Sequence, residues 1–296
     1  MTRHCPHCFP FGPRSEQRTH SVRIGTYRRR SDKKWIQRFL CRLCRKGFSS
    51  ATFEACYKQK KRQFNLKLFE LLASGVSQRR CAYLLRLNRK TIKRKFLFLG
   101  AQALIDLRRH HLKYPPATLI EFDDLETFEH SKCKPLSVTL AVESPSRRIL
   151  SFSVSSMPAK GLLSQRALKK YGYRTDDRER GRRLLLSTLT GLVSPKALIK
   201  SDQNPHYPND VKLFFKEAQH LPLKGKRGAI TGQGELKKVG FDPLFSLNHT
   251  CAKLRADVNR LIRKTWCTTK KAERLRFHLA IMSLYHNRAL EARKRV

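Results

Sequence analysis

The stretch "LIEFDDLETFEH", residues 119–130, sets five carboxylates (Glu121, Asp123, Asp124, Glu126 and Glu129) into twelve positions of a 296-residue chain with 22 Asp plus Glu against 64 Lys plus Arg. Its apolar and β-branched content predicts an extended segment over 118–124. Successive side chains of a strand face opposite sides, so Glu121 and Asp123 share one face while Phe122 and Asp124 share the other. Two more extended segments follow, 136–143 ("LSVTLAVE") and 148–155 ("RILSFSVS"), joined by the turn-rich "SPSR". A polar, basic stretch then leads into a helix at about 181–193 ("GRRLLLSTLTGLV"). After it comes "KALIKSDQNPHYP" (196–208), a short apolar strand that ends at Asp202 in a turn. Strand, hairpin, helix, strand, helix is an α/β order with a mixed sheet.

Asp202 therefore falls at the carboxyl edge of its strand, where open α/β sheets place their chemistry. Two carboxylates from different strands converging there repel each other unless a divalent cation lies between them. Mg²⁺, or Mn²⁺ in its place, is the hard ion that an all-oxygen site selects, and it serves in-line phosphoryl displacement. Asp124 and Glu126 border that site.

Composition points the same way. With 40% hydrophobic residues the chain buries a sizeable core, and its length suits two or three domains. A formal charge of +42 and a pI near 10.7 make the folded protein repel itself unless a polyanion neutralises it, and duplex nucleic acid is the commonest such partner. No apolar run reaches 18 residues and neither terminus is a strongly amphipathic basic helix, which argues against a membrane. The opening "MTRHCPHC" has no signal-like apolar region, so the chain reads as cytoplasmic and soluble.

The nine cysteines include two C-x₂-C pairs, Cys5/Cys8 and Cys41/Cys44, the knuckle spacing that points two thiolates at one tetrahedral zinc. Two β-like runs between them, 21–29 and 34–40, form a hairpin joining the knuckles. This is a zinc-ribbon pattern over 1–52, with His4 and His7 as alternative ligands.

From Phe64 the periodicity is helical. Leu66, Leu68, Phe69, Leu71 and Leu72 share a face, and "ASG" at 73–75 closes the helix with Gly75. Ser77 caps a second helix with Cys81, Leu84 and Leu85 inward. Asn88 caps a third, "RKTIKRKFLFLG" (89–100), with Ile92 and Phe96 inward and Arg89, Lys90, Lys93 and Arg94 outward. Three short helices over 60–107 describe an all-α helix-turn-helix whose third element suits a major groove. Pro115 and Pro116 mark the next boundary, and an α/β domain spans 117–290. Near the C-terminus "CAKLRADVNRLIRKTW" (251–266) reads as a helix with Leu254, Val258, Leu261, Ile262 and Thr265 on one side and Arg255, Arg260, Arg263 and Lys264 on others, where Arg255 and Arg263 suit phosphates beside the metal. "AERLRFHLAIMSLYHNRAL" (272–290) is the last helix, with Leu275, Leu279, Met282 and Tyr285 inward; His278 and His286 read as packing residues.

The order of zinc ribbon, helix-turn-helix, "FDD", "KSDQNPHYP" and "NHTCAKLRADVNRLIRKTW" resembles the small bacterial insertion-sequence transposases with an RNase H-like DDE-type catalytic domain, over nearly the whole chain. The resemblance implies a mixed five-stranded sheet flanked by helices, Mg²⁺-dependent cleavage and strand transfer of duplex DNA at element ends, a homo-oligomer in the synaptic complex and a nucleoid location. It matches Asp123 and Asp202 to the first two acids of the triad. At the third position stands Asn248, giving an Asp-Asp-Asn set that some members of the group use; Glu235 and Asp257 are the rivals. The other class open to this sequence is a non-catalytic zinc-ribbon and helix-turn-helix regulator derived from an inactive transposase.

Overall fold

The computed structural model describes residues 4–10, 20–224, 242–261 and 268–293, and the chain divides into two compact units, Met1–Lys67 and Leu68–Val296.

In the first unit β1 (Ser21–Arg28) and β2 (Trp35–Cys41) pair antiparallel as the hairpin expected, and β3 (Gly47–Ser49) adds to β2. The sequence pattern does not announce β3, because three residues are too few for alternation to show. A bulge between Arg23 and Thr26 accommodates Gly25 at φ 104°, a conformation that disfavours any side chain. The core is small: Phe39 and Phe48 stack at 5.3 Å beside the buried Cys5 and Cys41. So little apolar area does not hold a module of this size without a cross-link.

The second unit begins with three helices: α1 (Asn65–Ala73, opening at the end of the first unit), α2 (Gln78–Leu84) and α3 (Arg89–His111). The expected caps are present, with Ser77 Oγ accepting from Arg80 N–H at 3.3 Å and Asn88 Oδ1 from Lys90 N–H at 2.8 Å. α1 closes with Gly75 at φ 74° and a Val76 N–H to Leu71 C=O bond, the left-handed glycine stop. Two apolar assignments are corrected: Leu66 is 68% exposed and Leu84 49%, and the burial falls instead on Leu68, Phe69, Leu72, Ala73, Cys81 and Ala82. α3 also runs eleven residues past Gly100. That glycine is not a stop but a close-approach point, since a Cβ there would lie 2.4 Å from the Cβ of Phe277 on α8 (Ala272–Arg293). Buried Ile92, Phe96, Leu99, Ala103 and Leu107 make the stripe that α3 turns inward.

The sheet comprises β4 (Ala117–Phe128), β5 (Pro135–Glu143), β6 (Ile149–Ser156), β7 (Val193–Ser201) and β8 (Gln219–Pro222) in the order β6-β5-β4-β7-β8. β5 runs antiparallel to both β4 and β6, and β7 and β8 run parallel to β4. This mixed five-stranded sheet flanked by helices fits an RNase H-like domain. Between β6 and β7 lie α4 (Leu163–Tyr171) and α5 (Arg178–Leu189), and α6 (Tyr207–Phe214) follows β7. One face buries Ile120, Phe122, Ile199, Leu185, Leu189, Tyr207 and Val211. α5 begins three residues earlier than expected and ends at Leu189, since Val193 already belongs to β7. It sits close on β6 because Gly181 meets the small Ser153 and Ser155, where a Cβ would come within 1.8 Å of Ser155 Oγ.

α7 (Phe245–Asp257) departs most from expectation. It starts six residues before Cys251, so Asn248 lies in its first turn and not ahead of the helix. Leu244 offers no side-chain cap. Instead the buried Glu121 carboxylate of β4 accepts the Leu247 N–H at 2.8 Å, satisfying an orphan donor at the positive end of the helix. In α8, His278 and His286 each bond a backbone carbonyl, of Leu72 and Arg147. Asn287 bonds both the N–H and the C=O of Ile149, each at 2.9 Å, which fastens the edge strand β6. Among the described residues no helix is long and apolar enough to cross a membrane.

Candidate active site

The five acids of 119–130 have five different fates. Glu121 caps α7. Glu126 pairs with Lys160 at 2.8 Å and Glu129 with Arg174 at 3.4 Å. Asp124 accepts from Thr139 Oγ1 at 2.5 Å. Asp123 faces a different neighbour.

The parallel register pairs Phe122 with Ser201, so Asp123 and Asp202 are the next residues along β4 and off the end of β7. Adjacent strands lie about 4.8 Å apart, which sets the two carboxylates side by side where β7 ends against the middle of β4. Each is held. Asp123 Oδ1 accepts the Asp124 N–H at 2.6 Å and the Tyr207 hydroxyl at 3.2 Å; Asp202 Oδ1 accepts the Asn204 N–H at 3.1 Å. Burial, reinforced by the charge of Asp202, pushes the Asp123 carboxyl up to about 7. Burial likewise raises Asp202, with the charge of Asp124 adding to it. Tyr207, fully buried, is raised well above the ordinary phenol value by desolvation and the surrounding acids, so it remains a hydrogen-bond donor.

Asn248 of α7 completes a cleft of about 640 Å³ with these two acids, Gln203, Asn204, His206, Arg178 and Lys224. Its Nδ2 donates to Asp242 Oδ2 at 2.8 Å, which leaves its amide oxygen to act as an acceptor. Asp242 is itself tied by the Leu244 N–H at 3.0 Å. Of the rivals, Asp257 stands nine residues further along α7, about 13 Å at helical rise, and is engaged by Lys253 at 2.6 Å; Glu235 lies outside the described residues.

Two carboxylates and an amide oxygen form a hard donor set, and a pair of half-buried acids, one of them raised to about 7, is what a divalent cation would relieve. Asp123, Asp202 and Asn248 fit Mg²⁺ or Mn²⁺. Cys251 is pushed up to about 12 by burial and then by Asp123, so it stays a neutral thiol and no competing soft ligand.

In the first unit the sulfur atoms of Cys5, Cys8, Cys41 and Cys44 lie within 4.8 Å of one another, with Cys5–Cys44 at 3.7 Å and Cys8–Cys41 at 3.8 Å. Bonds of about 2.3 Å to a tetrahedral zinc would put thiolates roughly 3.8 Å apart, so the set fits that ion. N–H groups of Cys44 and Leu43 favour the Cys41 thiolate, lowering it to about 7. His4 packs edge-on to Phe53 at 5.1 Å and is not part of the cluster. Purified protein is expected to carry one zinc per chain, and Cys41→Ser to lose it. Hydrogen exchange should then show residues 20–53 unprotected while 117–156 stay protected, because binding and folding of such a module are coupled. Protection of 20–53 that survives complete metal removal would contradict this.

Arg89, Lys90, Lys93 and Arg94 are all exposed on the first turns of α3, and Arg255 is exposed on α7. Arg263 lies outside the described residues. Sequence reasoning misses Tyr207, Asp242 and Arg178. Tyr207 stands in the "NPHYP" turn already singled out for Asp202, but nothing local says that its hydroxyl reaches β4.

No protein-family model and no curated protein matches the chain. Among solved structures it is similar to the crystal structure of the Mos1 strand transfer complex, at 13% identity over 77% of this chain and 79% of that one, with a TM-score of 0.25. It is also similar to the catalytic domain of Mos1 mariner transposase, at 12% identity over 64% of this chain and 94% of that one, with a TM-score of 0.22.

Proposed function

We propose that the chain is a DNA transposase. Its zinc ribbon and helix-turn-helix bind the terminal inverted repeats of an insertion sequence, and its RNase H-like domain cuts a strand there and joins it to target DNA. One observation carries the reading: in a protein of charge +42, a carboxylate just past the end of β7 stands beside one in the middle of the neighbouring parallel strand β4, with Asn248 in the same cleft. An excess of cations on the outside suits a polyanion; a divalent site inside suits chemistry on that polyanion's phosphates.

In the first reaction water displaces the 3′ oxygen of a phosphodiester, leaving a free 3′-hydroxyl and a 5′-phosphate. In the second that hydroxyl displaces a bridging oxygen in target DNA, so one phosphodiester forms as another breaks. Divalent ions, when bound, activate the attacking oxygen and stabilise the leaving one. The chain's own residues supply position. Asp123, Asp202 and Asn248 hold the ions, Tyr207 orients Asp123 by hydrogen bonding, and Asp242 orients the Asn248 amide. Arg89, Lys90, Lys93 and Arg94, with Arg255 and Arg263, hold the duplex, and no covalent protein intermediate is needed. Synapsis of two ends calls for a homo-oligomer, acting on the nucleoid in the cytoplasm.

The test is cleavage of labelled element-end duplex in Mg²⁺ or Mn²⁺. Asn248→Ala is expected to lower the rate by at least about 100-fold, with Glu235→Ala and Asp257→Ala near parental. Full activity of Asn248→Ala would remove Asn248 from the site. Salt-sensitive binding with no divalent-dependent nicking by the parent would identify the regulator instead.

A further inference from the structure

Arg178 is the first residue of α5 and lines the cleft that holds Asp123, Asp202 and Asn248. It arrives from a defined direction. α5 packs on the face of the sheet that carries Ile120 and Phe122, whereas α7 is tied to the face that carries Glu121. Arg178 and Asn248 therefore approach the two carboxylates from elements on opposite faces of the sheet, and a strand seated in the cleft they line meets both.

The guanidinium is also held ready. Its Nε lies 2.9 and 3.1 Å from the two carboxylate oxygens of Asp176 and its Nη2 lies 2.5 Å from Oδ2. This fork leaves Nη1 unbonded among the described residues. With both partners about a third exposed, at 32% and 38%, the pair contributes little to stability. A fixed, planar donor set with an open edge is what bidentate or paired recognition of phosphate oxygens requires, and little rotamer freedom remains to be lost on binding.

We infer that Arg178 binds the non-bridging oxygens of the phosphodiester at which the strand is cut, with Asp176 as the residue that aims it. This rests on the proposed reading of the cleft as a strand-cleavage site. The negative charge that spreads over the equatorial oxygens during phosphoryl transfer would be met on one side by divalent cations, which Asp123, Asp202 and Asn248 would hold, and on the other by this guanidinium. Arg178 is distinct from the cations of α3, whose loss would weaken duplex binding throughout.

The experiment uses the full chain and labelled element-end duplex, with Arg178→Ala, Arg178→Lys and Asp176→Asn beside the parent. In single-turnover cleavage with Mg²⁺, Arg178→Ala is expected to slow the chemical step about 100-fold, Arg178→Lys to recover part of that, and Asp176→Asn to lose about 10-fold, while duplex affinity in Ca²⁺ stays within about threefold. Ethylation interference, also in Ca²⁺, reads the contact without any cleavage. Ethylation of one phosphate at the cut site should weaken binding of the parent by about the same threefold and be silent in Arg178→Ala. Parental cleavage by Arg178→Ala, or an interference pattern the same as the parent's, overturns the inference. A parent that does not cut but shows the Arg178-dependent phosphate would keep the contact and overturn the catalytic reading; a parent with neither overturns both. If Arg178→Ala does not fold, Arg178→Lys and Asp176→Asn decide by the same two readouts.

Discussion

Asp123→Asn is expected to abolish strand cleavage and, in divalent-free buffer at pH 8, to raise the thermal stability of the protein. The first effect follows from removing one of the two carboxylates proposed as metal ligands, a loss of at least roughly 10³-fold by analogy with other essential side chains. The second follows from the burial of that carboxylate. Folding lifts its pKa from 3.8 to about 7, so the folded chain binds this proton more readily than the unfolded one. Stability then falls as pH climbs from about 4 to about 7, by roughly 1.4 kcal/mol per pH unit. Above that range the fold carries the whole cost, and an uncharged Asn at this position removes it. The gap between variant and parent should therefore be widest at pH 8 and close toward pH 4, and Mn²⁺ should stabilise the parent more than the variant. Melting curves at pH 5 and pH 8, with and without Mn²⁺, check this. An Asp123→Asn protein less stable than the parent at pH 8 without divalent ions would contradict it.

Asp210→Ala is expected to produce the largest loss of stability. Asp210 of α6 accepts from Arg182 Nε at 2.7 Å and Nη2 at 2.6 Å, with both side chains 5% exposed, and from Arg183 Nε at 3.1 Å. Removing the acid leaves a buried guanidinium with no counter-charge, which costs about 3–5 kcal/mol. Replacing both partners at once, as Arg182→Met with Asp210→Leu, should restore much of the loss, because the desolvation of both charges disappears with them. The effect reaches the site through one ring. The Arg182 guanidinium sits 5.4 Å over Tyr207, whose hydroxyl bonds Asp123, so Asp210→Ala should also slow cleavage in the fraction that remains folded. Urea unfolding measures the first effect. A loss within about 1 kcal/mol would mean that the pair is solvated and that this route to Tyr207 carries no energy.

Local rules reach as far as the information is local. Alternation along 119–124 places Glu121 and Asp123 on one face, and both do turn toward α7 and the cleft. The apolar run before Asp202 ends the strand there, and Ser77, Asn88 and Gly75 cap and stop helices as their chemistry dictates. Signals that depend on a distant partner are not legible. The start of α7 has no cap of its own, because the cap is a carboxylate on β4, 126 positions away. Gly100 resembles a helix stop until Phe277 is packed against it. Arg178 is one cation within a long basic stretch, and only its place at the start of α5, lining the cleft of the paired acids, distinguishes it. Leu66 and Leu84 fit a helical stripe by period yet lie at the outer margin of theirs, where the neighbouring helices do not reach.

Whether the paired carboxylates hold a divalent ion is decided by anomalous scattering from crystals grown with Mn²⁺. The expected result is a manganese peak bridged by the carboxylates of Asp123 and Asp202, with the Asn248 amide oxygen within coordination distance, and no such peak in Asp123→Asn. A parent crystal in which those two carboxylates face the same cleft without any peak between them, or in which manganese is found only elsewhere on the molecule, would contradict it.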